Sequence, residues 1–455
     1  MASDWKMMEG MMKKVITYGT YDLLHEGHIR LLQRAKQLGD YLIVGVTSDD
    51  FDRKRGKINV KQSLMERVEK VKSLNIADEI IVEEYEGQKI DDIKRYNIDV
   101  FTVGSDWKGK FDYLNKLCQV IYLDRTEGIS SSDIRGKHKV KIGIVGDDDY
   151  LIKFYRESKY VNGVQVCALV RDDIENVPDE YKDIQCITNN YQEVLDMVDA
   201  VYIHSYPERH YGYIREALEH KIHVLCESPI VLEKNQIDEL FLLAENNGCV
   251  LMEALRTAYA TAYARLLLLL KSGAIGDVKM VDATCTSLKS SDYLAAEGNN
   301  WNSICAWGPN AMLPAFQILG TNYKQKHIIS SLVDENSNTD LFTKIDFVYD
   351  NAVASVKIGQ GVKAEGDLII SGTKGYVYVP APWWKTDYFE VRYERQENNR
   401  RYFYQLDGEG IRYELVAFSR AVEDGIRQNY IGRDVTEAFV EVINDFYCRR
   451  DFTNI

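Results

Sequence analysis

The stretch "YGTYDLLHEGHIRLLQRAK", residues 18–36, runs from the end of an apolar strand pattern through Gly19 and Thr20 into an amphipathic helix pattern. Between the two come an acidic residue, Asp22, and two histidines, His25 and His28, that bracket Gly27. Histidines at a helix start lie where free backbone N–H groups and the helix dipole already favour phosphate. Gly27 lets a phosphate approach the backbone closely. Imidazole N–H groups stabilise charge developing on a phosphoryl oxygen without forming a covalent bond. A lone HxxH reads as two structural histidines at a helix cap; the full run reads as a phosphate site.

Outward from this stretch, strand-like runs ("KVITYG", "YLIVGVTS", "EIIV", "DVFTVGSD", "QVIYLDR") alternate with amphipathic helical stretches over residues 12–136. That alternation predicts a parallel α/β sheet. Residues 1–11 read as a short extension or a tag. A charged stretch, "SSDIRGKHK" (131–139), closes the unit, and alternation restarts with "VKIGIVG" over residues 139–256. From 257 to 455 a helix, "TAYARLLLLLKSG", leads into strand-rich segments and two closing helices, around 412–427 and 434–449. The expected fold class is α/β: a Rossmann-like first domain, a second Rossmann-like domain, then an α+β domain on a largely antiparallel sheet.

Among the 455 residues, 70 acidic against 56 basic give a net charge of −14, which argues against nonspecific binding to nucleic acid or anionic lipid. The densest apolar run, Leu266–Leu270, is far too short to span a bilayer and reads as a buried helix. Eight scattered cysteines without CxxC spacing read as free thiols, most of them buried. With no evident signal peptide, these features point to the cytoplasm.

The segment 12–135 resembles the cytidylyltransferase family, glycerol-3-phosphate cytidylyltransferases above all. Three stretches carry the resemblance: "GTYDLLHEGH" (19–28), "VGSDWKGKFDYL" (103–114) and "YLDRTEGISSSDIR" (122–135). It implies transfer of CMP from CTP, with Mg²⁺, to a polyol phosphate, giving a CDP-polyol and pyrophosphate. His25 and His28 would be catalytic, with Lys57 and Arg125 neutralising triphosphate charge. Gly19, Thr20, Tyr21, Asp22, Gly27 and Asp106 would contact the nucleotide. Thr126, Gly128, Ile129, Ser130, Ser131 and Ser132 would close over it from the opposite side. Arg55 and Lys89 would hold the acceptor's phosphate. The family's pattern makes "RKRGK" (53–57) a mobile basic loop for charge neutralisation, which phosphoryl-type transfer needs more than covalent help. Two departures stand out, Ser105 for an acid and Arg55 for a lysine; Arg presents a different donor geometry to a phosphate than Lys, which opens glycerol 2-phosphate or a longer polyol phosphate as acceptors.

Residues 139–455 resemble the family of glucose-fructose oxidoreductase and inositol 2-dehydrogenase. The markers are "KIGIVG", "VDAVYIHSYPERHYGYIREALEHKIHVLCESPIVL" (198–232), "LLKSGAIGDVKMVDA" (269–283) and "ISGTKGYVYVPAPWW" (370–384). The chemistry of that family is replaced. Aligned on Gly146, the GxGxxG pattern meets Asp148 and Leu151. The lost glycines block close backbone approach, and an Asp near pyrophosphate adds about 4 kcal/mol of repulsion per charge pair at about 4 Å. That is on the order of a thousandfold in affinity. The family's E-K-P reads Glu227-Ser228-Pro229, and its aspartate–glycine–histidine–aspartate stretch reads "AWGPNAMLPAFQILG" (306–320), with Ala306, Asn310 and Leu313 at the polar positions. Gly146, Asp148, Arg171 and Glu227 are where a dinucleotide would be met, Arg171 tilting any preference toward NADP. His210 reads as a structural histidine, and Trp301, Trp307, Trp383 and Trp384 as packing or cleft-lining residues.

The expectation is therefore a CTP-dependent enzyme serving surface-polymer synthesis, joined to an oxidoreductase-like unit without NAD(P) chemistry. That second unit would serve oligomerisation (a dimer or tetramer), acceptor binding or regulation. Two alternatives keep the second unit active or passive: a reductase that supplies the polyol phosphate, or a pure interaction module.

Overall fold

A computed structural model describes residues 12–54, 60, 62–85, 87–124, 139–161, 163–290, 293–294, 301–334, 337–404, 406–424 and 430–455. The chain divides into two compact units, Met1–Lys139 and Val140–Ile455.

The first unit carries a wholly parallel five-stranded sheet of β1 (Lys14–Gly19), β2 (Tyr41–Thr47), β3 (Glu79–Glu83), β4 (Val100–Gly104) and β5 (Gln119–Leu123), in the order β3-β2-β1-β4-β5. Its strands read as continuous apolar runs because both faces are buried. Neighbouring residues therefore feed opposite layers. Val15, Leu42 and Val44 pack with Leu32 of α1 (Glu26–Lys36) and Val71 of α3 (Leu64–Ser73). Ile16, Ile43 and Phe101 pack on the other side with Ile93 of α4 (Gln88–Tyr96) and with Leu114. Each such side chain, fully buried, stabilises the unit by about 1.5–3 kcal/mol. A capping box between Ser63 and Glu66 starts α3. The strand order reverses between β1 and β4, the topological switch point where open α/β sheets form their crevice.

The second unit begins with another all-parallel sheet. Its strands are β6 (Val140–Val145), β7 (Val164–Val170), β8 (Cys186–Thr188), β9 (Ala200–Ile203), β10 (His223–Glu227) and β11 (Leu251–Ala254), in the order β11-β10-β9-β6-β7-β8. A nine-stranded mixed sheet follows in the chain. Its strands are β12 (Val278–Thr286), β13 (Gln325–Leu332), β14 (Asp340–Val348), β15 (Val353–Gly359), β16 (Leu368–Gly372), β17 (Tyr376–Val379), β18 (Tyr388–Arg392), β19 (Arg400–Phe403) and β20 (Phe452–Asn454). The order is β19-β18-β17-β16-β12-β15-β14-β13-β20; only β12–β15 and β13–β20 are parallel. The closing helices are α12 (Ile411–Asp424) and α13 (Arg433–Tyr447).

Two expectations need correcting, and one long helix stands where none is expected. Arg53 and Lys54 of the supposed basic loop belong to a short helix, α2 (Asp49–Lys54). The leucine run lies on α10 (Thr261–Lys271), where Leu266 is buried but Leu268 is 56% exposed, so the helix is one-sided rather than wholly buried. The stretch "AWGPNAMLPAFQILG" is the body of a long helix, α11 (Ser303–Leu319), despite Pro309 and Pro314 within it. All eight cysteines are free: five are buried, Cys118 and Cys186 half-buried, and Cys448 exposed. Among the described residues no helix is long and apolar enough to cross a membrane.

Candidate active site

At the carboxyl end of β1 the chain turns sharply, Tyr21 and Leu23 both taking left-handed φ of 52° and 48°. His25 then caps α1: its Nδ1 accepts the Gly27 N–H at 3.1 Å. An imidazole nitrogen that accepts cannot carry the proton, so the neutral ring is protonated at Nε2. The His28 ring stacks on that of His25 with centroids 3.9 Å apart, and Tyr21 meets His28 edge-on at 5.5 Å. Tyr21 is buried, and burial pushes its phenol pKa up, so it stays a neutral wall of the turn.

The turn is held from behind. Thr20 Oγ1 donates to Asp52 Oδ1 at 2.8 Å, and Asp22 Oδ1 accepts the Gln62 N–H at 3.0 Å. Arg67, fully buried on α3, donates to the carbonyls of Thr20 (2.6 Å), Thr47 (2.8 Å) and Gln62 (3.1 Å) and pairs with Asp49. Sequence reasoning missed this clamp. The available signal was Arg67 standing in the helical stripe Leu64–Val68–Val71–Leu74, where an apolar residue is the rule.

Of the predicted residues, Gly19, Thr20, Tyr21, Asp22, His25, Gly27 and His28 come together at this one turn. Lys89 is buried on α4, paired with Glu83, its ammonium 4.7 Å from the Tyr18 ring centre. Arg55, Lys57, Arg125, Thr126, Gly128, Ile129, Ser130, Ser131 and Ser132 lie outside the described residues, as does the side chain of Asp106.

The corresponding turn of the second unit, after β6, is built differently. Gly146 has φ of 140°, and a Cβ there would stand 1.9 Å from the His204 carbonyl oxygen, so glycine is obligatory. The helix that follows, α5 (Tyr150–Ser158), receives a carboxylate: Asp148 Oδ1 accepts the Tyr150 N–H at 2.6 Å. Asp147 Oδ1 accepts the Asp172 N–H at 2.9 Å and sits 3.7 Å from Arg171 Nε. Leu151 is buried in the core. At the end of β10, Glu227 accepts the Tyr202 hydroxyl at 2.5 Å. Burial pushes the Glu227 carboxyl up, but His204, Arg256 and that hydroxyl outweigh it and hold the pKa low. Ser228 donates to Glu253, which also accepts from Thr436 Oγ1 of α13 at 2.5 Å. Asn310 accepts the Thr257 hydroxyl at 2.9 Å, and Leu313 is fully buried. His210, also fully buried, places its two ring nitrogens 2.9 and 2.8 Å from the Pro229 and Ser205 carbonyls. Trp383 is core, whereas Trp301 stacks on His204 at 5.9 Å and Trp307 meets Trp384 at 4.8 Å.

A cytidylyltransferase-like family model matches residues 16–137. Glycerol-3-phosphate cytidylyltransferases from Bacillus spizizenii and Staphylococcus aureus are 51% and 49% identical over 124 residues, which is 27% of this chain and 95% and 93% of theirs. The chain belongs to the cytidylyltransferase-like family. Beyond the cytidylyltransferase-like unit, an oxidoreductase family model with an NAD-binding Rossmann fold matches residues 140–255. KijD10, a 3-ketoreductase from Actinomadura kijaniata, aligns at 16% identity and TM-score 0.62, covering 70% of this chain and 100% of its own. An aldose-aldose oxidoreductase from Caulobacter crescentus aligns at 17% identity and TM-score 0.61, over 68% of this chain and 97% of its own. At such identities the likeness establishes the fold that follows the cytidylyltransferase-like unit.

Proposed function

We propose that the first unit transfers CMP from CTP to a small polyol phosphate, releasing pyrophosphate and forming a CDP-polyol for a surface polysaccharide or teichoic-acid-like polymer. The observation that carries this reading is the stacked His25–His28 pair at the start of α1. It lies in a unit 49–52% identical to glycerol-3-phosphate cytidylyltransferases. An acceptor phosphate oxygen attacks the α-phosphorus of CTP in line, the bond to the α–β bridging oxygen breaks, and pyrophosphate leaves. Negative charge grows on the α-phosphoryl oxygens and the leaving group. His25, with its proton on Nε2, donates toward that charge while its other nitrogen stays on Gly27; His28, stacked on it, works from the next turn. Both act as electrostatic stabilisers, with no covalent intermediate.

Lys57 and Arg125 are the proposed neutralising cations, and Arg55 and Lys89 the acceptor-phosphate cations. Pairing with Glu83 holds the Lys89 ammonium beside β1 in advance. The described residues include no cluster of three His, Cys, Asp or Glu able to hold a metal ion. The proposed Mg²⁺ would arrive on the CTP phosphates, as this ion commonly does. Incubating the protein with CTP, Mg²⁺ and a panel of polyol phosphates tests the reading: pyrophosphate and a CDP-polyol should appear for at least one acceptor. Their absence across the panel removes it.

The residues after β6 do not fit a dinucleotide. The helix N–H that would face pyrophosphate is taken by Asp148, and the loop N–H groups after β7 are taken by Asp147. Ser228 and Asn310 are engaged in hydrogen bonds within the fold. These contacts support a second unit that assembles, binds or regulates rather than reduces.

A further inference from the structure

In the second unit, three cations from three separate elements converge on one carboxylate. Glu409 pairs with Lys153 of α5, with Lys385 at 2.7 Å and with Arg256 of α9 (Arg256–Tyr259) at 3.6 Å. Lys153 and Lys385 hold the Glu409 carboxyl far down, at about 2, against the upward push of its partial burial.

The backbone that presents this carboxylate is strained. Gly408, Glu409 and Gly410 take successive left-handed φ of 56°, 52° and 91°. Glycine suits the left-handed φ at 408 and 410, and a Cβ at Gly408 would also stand 2.2 Å from the Glu157 carboxylate. Glu409 has no such freedom, and a side chain in the left-handed region crowds its own backbone. Attraction to the cations is what offsets it.

Within the trio, Arg256 lies with its guanidinium 4.8 Å from the Tyr150 ring centre. Glu414, on the first turn of α12, is fully buried, and neither carboxylate oxygen accepts a hydrogen bond from a described residue. Burial first, then Glu227, drives its pKa well up, so it stays protonated. A neutral Glu414 leaves the charge of Arg256 directed outward. The trio against Glu409 alone carries net charge +2; with Glu227 counted against it, +1.

We propose that Lys153, Lys385 and Arg256 form a binding site for a phosphate monoester, and that Glu409 occupies it as a built-in competitor that the ligand displaces. Three cations match the peripheral oxygens of a phosphate dianion, which carries up to twice the charge of the carboxylate it replaces. Release of Glu409 also relaxes its left-handed backbone. The ligand would thus couple the turn before α12 to the state of the site. This site is separate from the nucleotide turn of the first unit and does not depend on its chemistry.

Tungstate, an oxyanion visible by anomalous scattering, tests the location in crystals of the full chain. Density between Lys153, Lys385 and Arg256 with Glu409 swung away is the expected result; tungstate elsewhere with Glu409 unmoved overturns the proposal. In solution, glycerol phosphate is titrated against the full-length protein and Glu409→Gly, a change the left-handed backbone favours. Binding to the second unit, read by hydrogen exchange over residues 406–424, should tighten about tenfold, the equivalent of about 1.4 kcal/mol. Lys153→Met with Lys385→Met should abolish that protection while leaving CTP-dependent pyrophosphate release intact. Protection unchanged by either variant contradicts the assignment.

Discussion

Two turns in this chain share a plan and differ in charge. After β1, as after β6, a parallel strand ends in a glycine and a helix starts with its N–H groups facing the sheet's carboxyl edge. After β1 the cap is a neutral imidazole, His25, which accepts one N–H and retains a proton to donate. After β6 the helix start is met by Asp148, just before the N-cap Asp149; the Asp148 carboxylate accepts the Tyr150 N–H and brings a negative charge. An α/β turn is a phosphate site only when whatever satisfies the helix start leaves room for another anion. In the proposed reading the first turn does; the second has supplied its own anion.

The largest expected effect falls on the clamp behind the first turn. Replacing Arg67 by Met leaves buried carbonyls and Asp49 without their donor, and should cost about 3–5 kcal/mol of stability, measured by urea unfolding of the first unit's fluorescence transition. Unchanged stability would show the clamp is not what holds the turn. Next, His25→Ala and His28→Ala should each lower kcat for pyrophosphate release by about 100- to 1000-fold, with the fold retained by circular dichroism. Importing the second turn's feature into the first sharpens the contrast: His25→Asp preserves a helix cap but adds an anion, and should weaken CTP binding more than His25→Asn does. The reverse exchange, Asp148→Ser, keeps a capping oxygen and should change stability by less than about 1 kcal/mol.

A smaller effect distinguishes the histidines themselves. His210, buried against two carbonyls, has its pKa pushed down to about 4 by burial. Its stability contribution is full above the unfolded value of about 6.5 and is lost as pH falls from there toward 4. The melting temperature of wild type should therefore fall over that window more steeply than that of His210→Gln. Asp340, raised to about 6 by burial, works in the opposite direction. The difference between the two proteins, rather than either curve alone, isolates His210. Equal slopes would mean that His210 does not bury as a neutral ring.

The first turn was legible because its parts are local: Gly19 to His28 are ten consecutive residues, and capping geometry is written in near neighbours. Arg67 was not legible, since its partners Thr20, Thr47, Asp49 and Gln62 are joined only by the fold. The parallel sheets could be read from continuous β-branched runs alternating with amphipathic stretches. Two elements of the second unit could not. Pro309 and Pro314 obscure α11, whose burial overrides their cost within a helix. In β13, "QKHIISSL" places two isoleucines side by side and then two serines, so no alternation betrays a strand that pairs with β14 along its whole length. The aspartates after Gly146 mark the missing glycines in the sequence; which N–H groups they occupy is set by the fold.

The central claim, that one turn takes a nucleotide and the other does not, is tested most directly by calorimetric titration of a single preparation with CTP–Mg²⁺ and, separately, with NADPH. Saturable binding of CTP that is lost in His28→Ala, with no heat from NADPH, is the predicted result. Saturable binding of NADPH, or CTP binding that survives His28→Ala unchanged, would contradict it.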